Sequence, residues 1–249
     1  MQKIAILNQK GGVGKTTTAV NVGAGLSLLD KRVLLIDLDP QANLTYSLGV
    51  LAHELEYSVY DLLNGNAEFS DVMIKRDGLD LLPSNLSLSG AEMEFSTIAG
   101  REFLLKEKLN HSSAYDFIII DCSPSLGLLT LNALTSVREV YITLQTEFLP
   151  MQGLAKLLET VGIVKKRLNK KLDITGILCT RFDGRKNLHN EVVEKINQHF
   201  GDKVFITKIR DNISLAEAPG FGQTIFEYRP KSRGAEDYKS LTNEILKRG

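Results

Sequence analysis

Short runs of apolar, often β-branched residues recur along the chain and alternate with stretches of helical periodicity. The two clearest runs, 33–37 (VLLID) and 117–121 (FIIID), are apolar until each ends in a carboxylate. Such unbroken runs are typical of strands buried on both faces. We therefore predict an α/β fold, with a doubly wound, mainly parallel sheet flanked by helices. The predicted strands lie near residues 3–8, 32–38, 78–82, 116–121, 138–144, 173–180 and 203–206, and the predicted helices near 15–29, 87–110, 126–136, 152–168, 187–200 and 235–247.

The bulk composition is that of an ordinary globular chain. Of its 249 residues, 43% are hydrophobic and 24% are charged, and no linker or low-complexity tract interrupts them, so we predict a single domain over residues 1–249. The 30 basic and 30 acidic side chains cancel, so a nucleic-acid partner would require a local basic patch. Two cysteines, Cys122 and Cys179, are too few for a disulfide framework and favour a reducing, cytoplasmic location. No apolar run reaches the length of a membrane span.

A glycine-rich loop follows the first predicted strand and leads into the first predicted helix. Glycines let backbone N–H groups turn toward a phosphate, and the N-terminus of the following helix favours an anion. In this setting Lys15 would neutralise the β- and γ-phosphates of a nucleotide, and the Thr16 hydroxyl would ligate Mg²⁺. The usual pattern, G-x-x-x-x-G-K-[ST], is not fully met, because Gln9 stands in place of its first glycine and Lys10 adds a second lysine.

Carboxylates close the two clearest strands. In open α/β sheets, ligands bind beyond the carboxyl ends of the strands, at a switch in strand order. Asp37, Asp39 and Asp121 are therefore expected at the same sheet edge as the glycine loop.

Residues 10–17 (KGGVGKTT) are similar to the deviant Walker A motif of the ParA/MinD ATPases. The resemblance continues in residues 37–43 (DLDPQAN), 121–127 (DCSPSLG), 217–219 (EAP) and 231–235 (KSRGA), and spans nearly the whole chain. Together these segments resemble the ParA/Soj branch, the chromosome and plasmid partition ATPases. The resemblance implies a deviant P-loop NTPase fold, with ATP and Mg²⁺ as cofactors and hydrolysis of ATP to ADP and phosphate. Only eight residues precede Gln9, so we expect no helix-turn-helix extension of the kind that long plasmid ParA proteins carry.

The resemblance assigns roles to individual residues. Lys10 would reach across an ATP-sandwich homodimer to the phosphates held by the other subunit, and Asp39 would position the attacking water. Asp37 and Asp121 would act on magnesium through water, although packing or hydrogen bonding is the alternative for Asp37. The implied catalytic residues are Lys10, Lys15 and Asp39, and the implied metal-site residues are Thr16, Asp37, Asp39 and Asp121. The implied nucleotide-binding residues are Lys10, Gly11, Gly12, Val13, Gly14, Lys15, Thr16 and Thr17, with Asn212 and Pro219 against the adenine base.

The resemblance also implies sequence-independent DNA binding by the ATP-bound dimer, and hence association with the nucleoid. Asp211 and Ser214 stand where the family has two arginines, the second of which is associated with DNA contact. The predicted DNA-binding cations are Arg181, Arg185, Lys186, Lys208 and Arg210. A second basic cluster at residues 165–171 ends a predicted helix, and we interpret it as a solvated helix end.

Several functions remain open at this stage. The first is a partition ATPase that acts with a ParB-like centromere-binding protein, and the second is a related ATPase that positions another cargo. The third, a MinD-like membrane-positioning ATPase, needs a C-terminal amphipathic anchor. Here the apolar positions of the last helix form a narrow stripe suited to packing on the domain, so no membrane partner is expected. The fourth is a metabolic P-loop enzyme that phosphorylates or ligates a substrate.

Overall fold

A computed structural model describes residues 1–76, 78–112, 114–147 and 151–248. Within these ranges six strands form one sheet in the order β3-β2-β4-β1-β5-β6, and every neighbouring pair is parallel. This arrangement confirms the predicted α/β fold and six of the seven predicted strands. The strands are β1 (Gln2–Leu7), β2 (Val33–Leu38), β3 (Leu79–Leu82), β4 (Phe117–Cys122), β5 (Glu139–Gln145) and β6 (Asp173–Thr180).

Helices of very different length connect and cover these strands. The α-helices are α1 (Lys15–Ser27), α2 (Asn43–Ser47), α3 (Val59–Asn64), α4 (Phe69–Val72), α5 (Ala91–Glu94), α6 (Leu104–Lys108), α7 (Leu128–Ser136), α8 (Met151–Arg167), α9 (Asn187–Phe200), α10 (Ile213–Glu217), α11 (Ile225–Tyr228) and α12 (Arg233–Arg248). Short 3₁₀-helices cover Ala52–Glu54, Leu86–Gly90, Phe95–Thr97, Arg101–Phe103, Leu109–His111, Gly201–Lys203 and Ala218–Phe221.

The sheet separates two hydrophobic cores, as its unbroken apolar strands require. Successive side chains of a strand point to opposite faces. In β1, Ile4 and Ile6 pack into one core, together with α1 and α12, whereas Ala5 and Leu7 pack into the other. The strands β2 and β4 alternate in the same way. On α12, Tyr238, Leu241 and Ile245 are buried in the first core and Leu246 is partly buried there, which confirms the expected packing of this helix on the domain.

The strand order places the site. After β1 the chain passes over β4 to β2, and after β4 it crosses β1 to reach β5, so the direction of winding reverses at β1. The glycine loop leaves the carboxyl end of β1 at this reversal. The strands β2 and β4 end beside it, where Asp37 lies opposite Asp121 in the strand register.

The predicted strand at 203–206 is wrong. Residues Gly201–Lys203 form a 3₁₀ turn, and Val204 makes only an isolated bridge to Ile177 of β6. The reason lies in α12, because the Glu244 carboxylate accepts hydrogen bonds from the backbone N–H groups of Ile206 (2.8 Å) and Thr207 (2.9 Å). These donors therefore bond to a side chain instead of extending a ladder beside β6.

The predicted helix at 87–110 is also wrong as a single element. The segment instead forms five short helical turns from Leu86 to Lys108 and a sixth at Leu109–His111. Gly100 interrupts it at φ +75°, a left-handed conformation that ends helices. In the described part of the chain, no helix is both long enough and apolar enough to cross a membrane.

Candidate nucleotide-binding site

The backbone of the glycine loop already has the conformation of a phosphate-binding loop. Gly12 and Gly14 have φ values of +71° and +88°, which side chains adopt only with strain. Gly14 directly precedes α1, so the loop opens onto a helix N-terminus as predicted. Lys15 is 7% exposed, and its Nζ donates to the carbonyl oxygen of Lys10 at 3.3 Å. An ammonium held inside the loop in this way is placed to meet an anion there.

Side chains at the ends of β5 and β6, which lie on one side of β1 in the sheet, hold the loop. Gln145 Nε2 donates to the carbonyl oxygen of Gly12 at 2.8 Å, and Thr180 Oγ1 donates to that of Val13 at 3.0 Å. Sequence reasoning missed both residues, because each acts across more than 130 positions of the chain. Their only sequence signal is that each polar side chain stands at the end of an apolar strand.

Lys10 has surroundings unlike those of Lys15. It is exposed, and its Nζ donates to Gln145 Oε1 at 2.8 Å. Its backbone N–H donates to Asn8 Oδ1 at 2.9 Å. The second lysine of the loop therefore rests on the outside of the site, against the same glutamine that holds Gly12.

Asp121 and Thr16 form the inner wall. Thr16 Oγ1 donates to Asp121 Oδ2 at 2.6 Å, whereas Asp121 Oδ1 is buried without a partner among the described residues. Burial, together with the charge of Asp37, raises the pKa of Asp121 from its usual 3.8 to about 8. A buried carboxylate oxygen without a hydrogen bond is a position where a cation or its water shell is favourable.

This donor set fits magnesium. No group of three His, Cys, Asp or Glu side chains suited to a metal occurs among the described residues. Magnesium in nucleotide sites keeps several waters and takes only one or two protein oxygens beside the phosphates. Thr16 and Asp121 are therefore the residues that would hold it.

Asp37 is occupied by hydrogen bonds. Its Oδ1 accepts from the N–H of Asp39 (3.1 Å), and its Oδ2 accepts from the N–H (2.9 Å) and the hydroxyl (2.7 Å) of Thr45. Burial raises the pKa of Asp37 to about 6, and the bonds from Thr45 oppose this increase. These contacts support the alternative role as a hydrogen-bonding residue, while its action on magnesium stays a prediction.

Asp39 has one engaged and one free carboxylate oxygen. Oδ1 accepts from the backbone N–H of Gln41 at 3.0 Å, while Oδ2 makes no hydrogen bond with the described residues. The residue is 8% exposed and lines the main cavity beside the glycine loop. A free carboxylate oxygen at that wall is suited to accept a hydrogen bond from a water molecule.

The cavity has a volume of about 1180 Å³, at or above the upper end of the range of roughly 300–1,000 Å³ for small-molecule sites. The glycine loop from Gly11 onward lines it, as do Asn212 and Pro219. Asn212 caps α10, since its Oδ1 accepts from Ser214 N–H at 2.9 Å. Its amide nitrogen makes no hydrogen bond with the described residues and so remains a donor for an adenine ring.

The predicted DNA-binding cations lie in unequal surroundings. Arg185 is 91% exposed but forms a bidentate pair with Asp183, lowering the pKa of that carboxyl. Arg181 lies 3.9 Å from both Glu147 and Asp211. Lys186 is exposed, and among the described residues its side chain makes no ion pair.

Lys208 and Arg210 have partners of a different kind. Lys208 Nζ stands over the Phe182 ring, 5.5 Å from its centre. Arg210 donates to both carboxylate oxygens of Asp237, and to Glu236 at 2.5 Å. Asp237 is buried, so Arg210 stabilises the fold whether or not it also contacts DNA.

The comparisons with known proteins agree with this geometry. A family model described as an AAA domain matches residues 1–174. The sporulation initiation inhibitor protein Soj of Bacillus subtilis (strain 168) is 48% identical over 99% of this chain and 98% of its own. The chromosome partitioning protein ParA of Caulobacter vibrioides (strain NA1000 / CB15N) is 40% identical over 100% of this chain and 95% of its own.

One solved structure, cobyrinic acid a,c-diamide synthase from Mycobacterium smegmatis with bound ATP analog and magnesium, matches with a TM-score of 0.88. It is 37% identical and covers 99% of this chain and 95% of its own. With a matched AAA domain, relatives similar over their full length and a P-loop carrying a second lysine, the chain belongs to the ParA/Soj family of partition ATPases.

Proposed function

We propose that this chain is a magnesium-dependent ATPase whose ATP-bound form is a sandwich homodimer. The observation that carries the proposal is the contrast between the two lysines of one loop. Lys15 lies inside the loop, whereas Lys10 is exposed and lies outside the cavity lining, which begins at Gly11. A cation on the outer face of a phosphate loop is available to the nucleotide of a second subunit.

The residues then divide the work of hydrolysis. The loop N–H groups and Lys15 hold the phosphates, and the free Oδ2 of Asp39 orients the attacking water. Magnesium bound at Thr16 and Asp121 would neutralise phosphate charge. Lys10 of the partner subunit adds a cation at the γ-phosphate, where charge accumulates in a loose transition state. Because that cation arrives in trans, hydrolysis requires dimerisation. The synthase with bound ATP analog and magnesium supports these cofactors.

The dimer is also proposed to bind DNA without sequence preference and to drive chromosome or plasmid partition in the cytoplasm, on the nucleoid, with a ParB-like partner. The logarithm of the DNA-binding constant falls linearly with the logarithm of the salt concentration, with a slope of about −0.9 per phosphate neutralised. The few exposed cations of one subunit therefore bind DNA only weakly at physiological salt. In a dimer, once one subunit has bound DNA, binding by the second subunit is effectively intramolecular, and the overall affinity rises. Dimerisation driven by ATP would therefore switch DNA binding on.

One specific observation favours a second candidate, a metabolic ligase. The matched synthase carries a metabolic name at 37% identity. The full-length relatives named for chromosome partitioning reach 46% identity, and the proposed dimer gives the extra lysine of the loop a role. We therefore place partition first. An ATPase that positions another cargo through the same cycle would use the same residues of this site, so the site does not distinguish the two functions.

DNA co-sedimentation with ATP, with ADP and without nucleotide tests the proposal. We expect retention with ATP only, reduced by Arg185→Ala and Lys186→Ala. Lys171→Ala, in the second basic cluster, is the matched control and should bind normally. Arg210→Ala is a poor probe, because it leaves the buried Asp237 carboxylate unpaired. Equal retention with ADP and ATP would contradict the proposed switch.

A further inference from the structure

The backbone of Asp39 is held by a closed ring of four residues, Asp37, Asp39, Thr45 and Ser84, which we call the switch ring. Asp39 N–H donates to Asp37 Oδ1 (3.1 Å), and Thr45 Oγ1 donates to Asp37 Oδ2 (2.7 Å). Ser84 N–H donates to Thr45 Oγ1 (3.0 Å), and Ser84 Oγ donates to the Asp39 carbonyl oxygen (2.8 Å). Each member is therefore hydrogen-bonded to the next, and the ring begins and ends at Asp39, the residue proposed to position the attacking water.

The switch ring lies in the interior. Asp37, Thr45 and Ser84 are 0% exposed, and Asp39 is 8% exposed. Hydrogen bonds without water competition are stronger and more directional than those at a surface, and each lost partner leaves a buried polar group unsatisfied. The ring also joins three segments that are distant in sequence: the end of β2, the helix α2 and the loop after β3. It can thus fix a loop that local interactions alone leave free.

The segment held by the switch ring is strained. Ala42 lies between Asp39 and Thr45 at φ +53° and ψ +32°, the left-handed region. A non-glycine residue there costs on the order of 1–2 kcal/mol. Such a conformation persists only where the surroundings determine it. Without the ring, the loop is free to relax, and the Asp39 carboxylate moves with it.

We propose that Thr45 and Ser84 are positioning residues, which set the location of the Asp39 carboxylate for hydrolysis without touching nucleotide. This inference rests on the proposed ATPase function. The Thr45 hydroxyl acts through Asp37 and Ser84, and the Ser84 hydroxyl acts through the Asp39 carbonyl. Neither residue belongs to the phosphate loop, so both are expected to affect the rate of hydrolysis more than the affinity for ATP.

Three substitutions and one control test this role by single-turnover hydrolysis with the protein in excess over ATP, by ATP titration and by thermal unfolding. Thr45→Val removes the hydroxyl and keeps the shape, while Thr45→Ser restores it. Ser84→Ala removes a single bond of the switch ring. The matched control is Thr143→Val, because the Thr143 hydroxyl is equally buried but makes no hydrogen bond among the described residues.

We expect Thr45→Val and Ser84→Ala to hydrolyse ATP roughly 10- to 100-fold more slowly, as misplaced catalytic groups do. Their affinity for ATP should stay within about twofold of the original. Thr45→Ser and Thr143→Val should behave like the unchanged chain. Should Thr45→Val fail to fold, Ser84→Ala decides the question, because the remaining bonds of the ring are intact.

A folded Thr45→Val or Ser84→Ala chain with the original hydrolysis rate would overturn the proposal, as would a Thr45→Ser chain as slow as Thr45→Val. Loss of ATP affinity in proportion to rate in both variants would assign these residues to binding or folding instead. An unchanged chain that binds ATP but never hydrolyses it would refute the proposed function itself, which is a separate and recognisable result.

Discussion

Replacing Asp121 with asparagine removes one of two buried carboxylates that lie opposite each other in the strand register. The asparagine keeps an oxygen for the Thr16 hydroxyl and occupies the same volume. In the folded protein the pKa of Asp121 is raised from 3.8 to about 8, first by burial and then by Asp37. The folded chain therefore holds a proton, from pH 3.8 to about 8, that the unfolded chain has released. Across this window the free energy of unfolding falls as pH rises, and it levels off above the folded pKa.

The size of the effect follows from the shift in pKa. At ~1.4 kcal/mol per unit, the full shift corresponds to an upper bound of ~6 kcal/mol at high pH. Part of this belongs to the repulsion from Asp37, and water entering beside an ionised carboxylate reduces the cost of burial. We therefore expect Asp121→Asn to raise the free energy of unfolding by ~2–4 kcal/mol at pH 9, and to leave it nearly unchanged at pH 4.

Urea unfolding at pH 4, 5, 7 and 9, with EDTA and without nucleotide, measures this difference. Asp116→Asn is the control, because Asp116 is only partly buried and its pKa is lowered by hydrogen bonding to Arg32, so it is already ionised across the upper part of this range in both states. A stability difference for Asp121→Asn that does not grow from pH 5 to pH 9 would refute the reasoning, as would a variant less stable than the original at pH 9.

Two further predictions concern the glycine loop and the close contact between Gly222 and Gly49. Lys15→Ala removes the ammonium that lies inside the loop, so calorimetry should detect no ATP binding, and retained affinity would exclude this loop as the phosphate site. Gly222→Ala places a Cβ 2.6 Å from the Cα of Gly49 at φ +63°, and should lower the free energy of unfolding by ~2–3 kcal/mol. Gly65→Ala has a similar left-handed φ but open space around it. In urea unfolding it should cost only ~1 kcal/mol, and equal losses for the two would show that the contact with Gly49 is unimportant.

The sequence was sufficient where the signal is local. The runs ending at Asp37 and Asp121 predict buried parallel strands, and the parallel arrangement brings their ends to the glycine loop. Lys15 and Thr16 follow from the loop pattern itself. Two missed helices, α3 and α11, also have a local signal, because Ser58 with Asp61 and Thr224 with Glu227 form capping boxes.

The sequence was insufficient where one side chain redirects a distant segment. Glu244 captures the N–H groups of Ile206 and Thr207, so a pattern typical of a strand forms none. Gln145 and Thr180 hold the glycine loop although both are distant from it in the sequence. The switch ring joins Thr45 to Ser84 only because β2 and β3 are neighbours. Such contacts depend on the order of strands in the sheet, which periodicity does not specify.

The partners of Arg210 were equally hidden. Arg210 looks like a candidate for DNA contact in the sequence, yet it binds Asp237 and Glu236 across 27 and 26 positions. Arg185 pairs with Asp183 two positions away. Counting the basic residues in the sequence therefore overestimates the positive charge that is available to contact DNA phosphates.

Mixing two inactive variants, Lys10→Ala and Asp39→Ala, tests directly whether each subunit supplies a cation to its neighbour. In a mixed dimer, the site of the Lys10→Ala subunit retains its own Asp39 and receives Lys10 from the other subunit, whereas the second site lacks both. An equal mixture should therefore recover about one quarter of the original ATPase rate, because half of the dimers are mixed and each has one complete site. A rate no higher than the mean of the two variants measured alone would contradict a lysine that acts in trans.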